Sequence, residues 1–373
     1  MKNLEWISKY KKDEEKLDDT LPLEDKEIFL KYTEKEDEFY PNITTNQKID
    51  SYLTYENEIG EKVTIKKFSE LDEMPEVIKK FNEKNKMNAF INSKIDDGLI
   101  IKFDDNLRTD RIFSIKQELK RDYGISKLVM MIGGNSRVYI SDELTSCDSA
   151  YSAQSMDIII DQGAELNFIL SDASSGTTLT NCNIITKGKL NFISLITNKK
   201  ITRNRLWVDM KEGAEINIKQ GVIGDGNAYF DIESEIIHSG RNTKSSVAYK
   251  AILDDHSKAV YKGVIKQEKG ATNSYAYLSE HSLILNKNAK SISIPSLEIE
   301  TNELKAYHAA SSQPIDKKAL FYVMSRGLDE GAATKIITKG FINSILETIE
   351  KKEFYELFGK QVEDELAGTL LKA

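Results

Sequence analysis

Gly163-Ala-Glu-Leu-Asn-Phe-Ile169, Gly188-Lys-Leu-Asn-Phe-Ile193 and Gly213-Ala-Glu-Ile-Asn-Ile218 repeat one pattern, a turn glycine followed by alternating apolar residues around an asparagine. The asparagines Asn167, Asn191 and Asn217 recur about every 25 residues. Three short strands plus three turns make a coil of roughly 20–27 residues, so this spacing predicts a parallel β-helix. Each coil pairs with its neighbours and sends alternate residues into a shared core. The asparagines are then expected to stack as an amide ladder. Ala259-Val-Tyr-Lys-Gly-Val-Ile265, Ser282-Leu-Ile-Leu285 and Ser291-Ile-Ser-Ile294 keep a similar beat. An antiparallel sandwich would instead need two-residue hairpin signals about every 8–12 residues, and Gly226-Asn227 is the one good candidate.

The five prolines, at 22, 41, 75, 295 and 314, leave 76–294 free of them. Proline has no N–H for a sheet ladder, so this gap marks one long region of continuous backbone pairing. The chain divides accordingly into an α-rich N-terminal domain (1–93), a β-helix core (94–305) and a helical C-terminal domain (306–373). Within the first, Met74-Pro75-Glu76 is expected to open a helix through Phe81, with exposed linkers near 33–60.

Charge and composition narrow the function classes. The 373 residues are 30% charged and 40% hydrophobic, with a net charge of −8 and no apolar run long enough for a bilayer. That charge argues against nonspecific nucleic-acid binding, which needs a basic face. Met1-Lys-Asn-Leu-Glu-Trp6 leads into dense charge unlike a secretory signal, and a cytoplasmic protein is expected. Cys147 and Cys182 are the two cysteines, too few for a disulfide framework or a four-cysteine zinc or cluster site. Each is expected to be a small buried thiol. No Gly-x-x-x-x-Gly-Lys-Ser/Thr loop and no Gly-x-Ser-x-Gly elbow occurs. Asp96-Asp97, Asp104-Asp105 and Asp254-Asp255-His256 read as turns rather than acid/base pairs.

The C-terminal block begins with Tyr307-His-Ala-Ala-Ser-Ser312, strand-like with an exposed histidine. Asp316 can cap a helix whose apolar stripe is Ala319, Leu320, Val323 and Met324, with Gly327 as its left-handed terminator. A second helix follows Asp329-Glu330, with Ala333, Ile336, Ile337, Phe341, Ile345 and Ile349 at helical spacing. His256, His281 and His308 recur at nearly even intervals close to the coil period, so one face of the solenoid could carry all three. Imidazole is a good ligand for iron or zinc.

These literal residues resemble the SufB/SufD family, the scaffold subunits of the SUF iron–sulfur cluster assembly machine. The likeness rests on His308 to Ala310, Leu320-Phe-Tyr-Val-Met-Ser-Arg-Gly327 and Gly340-Phe341. Upstream it includes Ile237-His-Ser-Gly-Arg-Asn-Thr-Lys-Ser-Ser246, Tyr261-Lys-Gly-Val-Ile265 and Pro295-Ser-Leu-Glu-Ile299, and more weakly Leu21-Pro22 and Phe29-Leu-Lys-Tyr-Thr33. It implies a mainly β fold, a right-handed parallel β-helix core with α-helical N-terminal and C-terminal domains. It implies a non-catalytic scaffold that pairs with a SufB-like subunit, or with itself, and is served by SufC, an ABC-type ATPase. An iron–sulfur cluster would form transiently at the subunit interface, with none held stably by this chain alone.

The departures from the family pattern are informative. A cluster-bearing SufB would show Cys-Asp-Ser where this chain has Glu280-His281-Ser282, and glutamate where it has Ala309. Thiolate accepts persulfide sulfur and holds clusters, whereas a carboxylate can bind iron but carries no sulfane sulfur. The pattern is therefore SufD-like, although Met324-Ser-Arg-Gly327 and Thr338-Lys-Gly-Phe341 look SufB-like. Cys147-Asp-Ser149 lies far too early in the chain to replace the missing tripeptide. His308, Glu280 and His281 are the candidate ligands for iron or a nascent cluster. Tyr322, Ser325, Arg326 and Gly327 are the candidate SufC contacts. The alternatives are a SufB-like cluster-building homodimer and a carbohydrate-active β-helix enzyme.

Overall fold

In the computed structural model, which describes residues 5–23, 31, 32, 34–41, 43, 53–81, 85–120, 122–346, 349 and 351–369, the chain winds between two nine-stranded sheets. Sheet A holds β1 (Leu53–Asn57), β4 (Arg108–Leu119), β6 (Arg137–Ser146), β8 (Glu165–Asp172), β10 (Lys189–Ile196), β12 (Glu215–Gly224), β14 (Lys244–Leu253), β16 (Ser274–Ile284) and β18 (Leu304–Pro314). Sheet B holds β2 (Val63–Lys67), β3 (Asp97–Phe103), β5 (Tyr123–Ile132), β7 (Tyr151–Ile160), β9 (Thr177–Thr186), β11 (Ile201–Met210), β13 (Tyr229–His238), β15 (Lys258–Gln267) and β17 (Lys290–Ile299). From β3 onward every pairing between these coil strands is parallel, giving a β-solenoid of about eight turns. β1 and β2 join antiparallel at the N-terminal end.

Each coil therefore uses two strands, not the expected three short ones. These strands are long, so two of them and two turns consume the same coil length. The glycine-led repeat marks only the sheet A strand of each coil. Its sheet B partner β9 (Thr-Thr-Leu-Thr-Asn-Cys-Asn-Ile-Ile-Thr) is buried on both faces, which erases the usual alternation. The amide ladder is present: Asn167, Asn191 and Asn217 share a register column, and Asn191 Nδ2 donates to Asn167 Oδ1 at 2.9 Å. Gly163 and Gly213 sit in left-handed turns at φ 73° and 75°.

The coil also lengthens along the chain. Asn167 and Asn191 bond across a coil of 24 residues, whereas Thr243 and Ser274 bond across one of 31 residues. Between the sheets the inward residues form one continuous core, in which Phe168 and Phe192 stack at 5.4 Å on adjacent coils.

Helices cover the outer faces. α1 (Glu5–Thr20), α2 (Glu36–Phe39) and α3 (Lys86–Ser93) lie in the N-terminal region, where Phe39, Met87, Phe90 and Ile91 pack on Tyr151, Ala153 and Leu179 of sheet B. Asn85 caps α3 by accepting from Asn88 N–H at 2.8 Å. Beneath it Lys127 and Asp157 form a buried ion pair at 2.6 Å. The N-terminal region differs from expectation in two places. Residues 53–57, placed in a linker, form β1 and pair with β4, because Leu53 and Tyr55 face Phe113 and the core. The helix expected from Pro75 to Phe81 is a single 3-10 turn, Ile78–Lys80. Phe29, Leu30 and Thr33 of the upstream resemblance lie outside the described residues.

At the other end, α4 (Lys317–Met324), α5 (Glu330–Leu346) and α6 (Lys352–Thr369) follow β18. α5 and α6 fold back along the outside of sheet A, burying Ile342, Ile345, Leu346, Phe354, Phe358 and Val362 against Ile193, Leu195, Ile223 and Ile252. Lys219 and Lys250 on the sheet donate to the carbonyls of Ser344 and Phe341, each at 3.0 Å, fixing α5 on β12 and β14. Among the described residues no helix is long and apolar enough to cross a membrane. Phe358 is fully buried in this seam, so Phe358→Ala should cost about 3–5 kcal/mol in a denaturant titration. A loss below about 1 kcal/mol would mean that the helices do not pack as described.

Candidate functional site

The C-terminal end of the solenoid presents two unpaired strand edges, β17 in sheet B and β18 in sheet A. Inward positions of β18 that would be core on an interior coil are here open to solvent. His308 is one of them: it pairs with Leu278 of β16, a core residue, and so faces the same way. Glu280 pairs with Ala310 and shares that inward face. Strand geometry sets Glu280 and His308 about 8 Å apart at the backbone, one rung and two residues removed. His281 pairs with Ser311 and points outward, where its Nδ1 lies 2.7 Å from Ser311 Oγ. Alternation thus divides the three predicted ligands, two inside and one outside. Among the described residues no group of three or more His, Cys, Asp or Glu side chains converges as a metal site.

Glu280 is fully buried, and burial pushes its carboxyl up to about 8, with Ser293 moderating the shift. It has room because β15 carries Gly263 opposite: a Cβ there would come within 2.6 Å of Glu280 Oε1. Tyr249 of β14 and Tyr261 of β15 stack beneath it at 4.1 Å. For His281, partial burial and then the Lys250 ammonium lower the imidazole from its ordinary value.

The other histidines play separate parts. His256 lies in the turn between β14 and β15, so the even spacing of His256, His281 and His308 does not place them on one face. The reason is the long coil at this end: His281 and Ser311, partners in register, are 30 residues apart, more than separates one of these histidines from the next. His238, in the Ile237–Ser246 motif, is enclosed: Nδ1 meets Thr243 Oγ1 at 2.7 Å and Nε2 meets Ser245 Oγ at 2.8 Å. Burial lowers its imidazole to about 4, so this motif residue holds a corner as a neutral ring. Cys182 is buried in β9 as expected, and burial raises its thiol well above the ordinary value. Cys147 is only half-buried, because its turn leaves it at the rim beside Ser149.

The predicted docking residues gather on α4 and the turn after it. Asp316 Oδ1 accepts from Lys318 N–H at 2.9 Å and Gly327 adopts φ 92°, both as the sequence requires. Unexpectedly, α4 buries none of its residues. Phe321 is 73% exposed and Tyr322 61%, flanked by exposed Met324, Leu328 and Ile336. Arg326 lies over the Tyr322 ring at 5.3 Å and donates to its Oη at 3.0 Å, while Ser325 Oγ donates to Tyr322 O. The exposed Phe321 was not singled out by sequence; it reads there as one more apolar helix residue.

A family model described as SUF system FeS cluster assembly, SufBD core domain, matches residues 116–341, from β4 into α5. An iron–sulfur cluster assembly SufBD family protein of Staphylococcus saprophyticus is 26% identical over 199 residues, covering 48% of this chain and 43% of that protein. Proteins of the same description from Staphylococcus aureus and Staphylococcus haemolyticus are 25% identical over the same length and coverage. The chain thus matches less than half the length of these curated relatives.

Glu280 and His238 give stability opposite pH limbs. A carboxyl raised from 4.5 to about 8 contributes stability below its unfolded value that is lost as pH rises through the folded one. An imidazole lowered from 6.5 to about 4 contributes stability that is lost as pH falls across that window. Asp142, raised to about 6, adds to the alkaline-side loss only below that pH. Between about pH 6 and 8 the wild-type chain should therefore lose on the order of 2–3 kcal/mol, and Glu280→Gln should flatten that limb. Parallel pH–stability curves for the two proteins would refute the assignment.

Proposed function

This chain belongs to the SufBD core family of the SUF iron–sulfur cluster assembly system, and from that premise we propose that it is a non-catalytic, SufD-like scaffold subunit. It pairs with a SufB-like subunit through the open end of the solenoid and docks a SufC-type ABC ATPase through α4. The observation that carries this reading is Glu280. At the position where a cluster-bearing SufB would present a thiolate, a buried carboxyl stands one rung inside the free strand edge. That group can take iron but cannot carry sulfane sulfur, and Cys182 and Cys147 lie on or beside earlier coils. His308, on the same inward face and exposed, is the second group available to iron or a nascent cluster, which are substrates here; His281 faces away from them.

Two surfaces support the partner assignments. The full-length edges of β17 and β18 offer backbone N–H and C=O groups to another sheet. The apolar patch of Phe321, Tyr322 and Met324 is exposed on a helix that rests on no core, while the sequence lacks a phosphate-binding loop. The reading assigns the complex to the cytoplasm. Pairing of two copies of this chain, with the ATPase, is the alternative that sedimentation of the purified complex distinguishes.

Co-expression with a SufB-like subunit and a SufC-type ATPase should yield one complex. Combining Phe321→Asp with Tyr322→Ala should weaken ATPase capture at least about tenfold while the scaffold pair survives. Retention of the ATPase at wild-type affinity would remove α4 from the interface. His308→Ala should lower iron and sulfide in the reconstituted complex several-fold without altering the melting temperature; unchanged content would dismiss its role.

A further inference from the structure

The first coil is covered by strands that break the rule of the rest. Among the described residues β1 and β2 make the antiparallel pairings, β1 on β4 with Tyr55 opposite Ile115, and β2 on β3 with Ile65 opposite Ile101. Beneath them Ile101, Phe103, Phe113 and Ile115 are fully buried, so the two strands stand where one more coil would otherwise lie. The cover is slight. β1 and β2 have five residues each, whereas β4 has twelve. Tyr55 stacks on Phe113 at 6.0 Å and is still 41% exposed. The polar ties of β1 include Lys116 with Glu56 at 2.9 Å, an exposed ion pair of a kind that adds little. Asn57 Oδ1 accepts from the N–H groups of Ile59 and Gly60, each at 3.1 Å, and so turns the chain from sheet A towards sheet B.

The far end of the solenoid matches what lies under this cover. There the chain runs through sheet B and then sheet A, β17 before β18, the same order as β3 before β4. A second copy stacked end to end would thus continue both sheets, with every new pairing parallel. The columns continue as well. Followed in register from coil to coil, the column of Phe103 ends at Ile299 and that of Ile101 ends at Leu297. Ile299 is 48% exposed, an apolar residue at an inward position with no coil beyond it. In sheet A the column of Ile115 ends at Ala310, so a large side chain would meet a small one. Apolar on apolar and large on small is how side chains interdigitate to the density of a protein interior.

We propose that β1 and β2 are an autoinhibitory cover: from within the chain they occupy the surface of the first coil that fits the terminal coil of a second copy. Strand length favours the second copy, whose β17 and β18 have ten and eleven residues. The tether favours the cover. β1 and β2 belong to the same chain as the coil they close, so they act at an effective concentration on the order of millimolar, which a separate molecule in dilute solution does not reach. With the cover lifted, each molecule offers β3 and β4 at one end and β17 and β18 at the other. That contact is heterologous and continues the solenoid axis without closing, so molecules add head to tail into rods. The inference rests on the solenoid alone and not on the assembly role.

Sedimentation velocity of the full chain over a concentration series tests it, with circular dichroism as the measure of folding. Tyr55→Asp combined with Ile65→Asp sets two charges over the core and should lift the cover. The weight-average mass of that variant should climb with concentration to at least about ten times the wild-type value. Adding Ile299→Lys, which would press a charge onto Phe103 of the next copy, should return the mass to that of the wild type. Where the double variant loses its β-sheet signal, Tyr55→Asp alone is read instead, and its mass should rise at least about threefold. A folded variant that keeps the wild-type mass at every concentration would overturn the proposal. So would large species that persist with Ile299→Lys, because they would not be stacked column on column.

Discussion

Parallel backbone pairing between successive coils is the constraint from which every other feature follows. Once a coil is in register with the one before it, each residue's column is fixed, and the two-residue period decides whether it faces core or exterior. A slip of one residue would exchange Glu280 for His281 inside the solenoid and send Tyr249's column outward. The core therefore does more than exclude water. The Phe168–Phe192 stack and the asparagine ladder hold the same register through different chemistry.

The outer faces answer a second demand. A two-sheet solenoid has apolar residues on its outside as well, and helices from both ends of the chain cover them. On sheet B the outer face carries ion pairs between neighbouring strands: Lys127 with Asp157, Lys262 with Asp231, and Arg205 with Glu233 and Glu235 are nearly or fully buried. Such pairs add little net stability over apolar packing but penalise any misplacement strongly. On sheet A the cover is apolar, with two lysine amines set on helix carbonyls. α4 alone is left outside both arrangements, which is why its aromatic residues stand in solvent.

Much of the solenoid was legible because its repeat is literal. Gly163, Gly188 and Gly213 with their asparagines mark coils whose length hardly varies, and the helix signals at Asp316 and Gly327 act locally. What could not be read from spacing involves changes of coil length. The coil has lengthened by β16, where Lys244 pairs with Tyr275, so histidines that look periodic are not aligned. Two strands per coil, rather than three, was hidden because β9 and its neighbours are buried on both sides and show no alternation. The candidate ligands were found as a tripeptide, yet adjacency in a strand sets Glu280 and His281 on opposite faces. Local motifs fix local geometry; which face meets which helix depends on contacts such as Lys250 to Phe341 that span 91 residues.

The two ends of the solenoid are unequal. Five-residue antiparallel strands finish one of them, β2 closing on Lys66 and Lys67, whereas ten- and eleven-residue parallel strands end the other. Short charged borders resist further strand addition, and long bare ones invite it. Among the described residues the long bare edges lie at one terminus, so strand addition through that terminus alone would join a pair without a repeating surface from which a fibril could propagate.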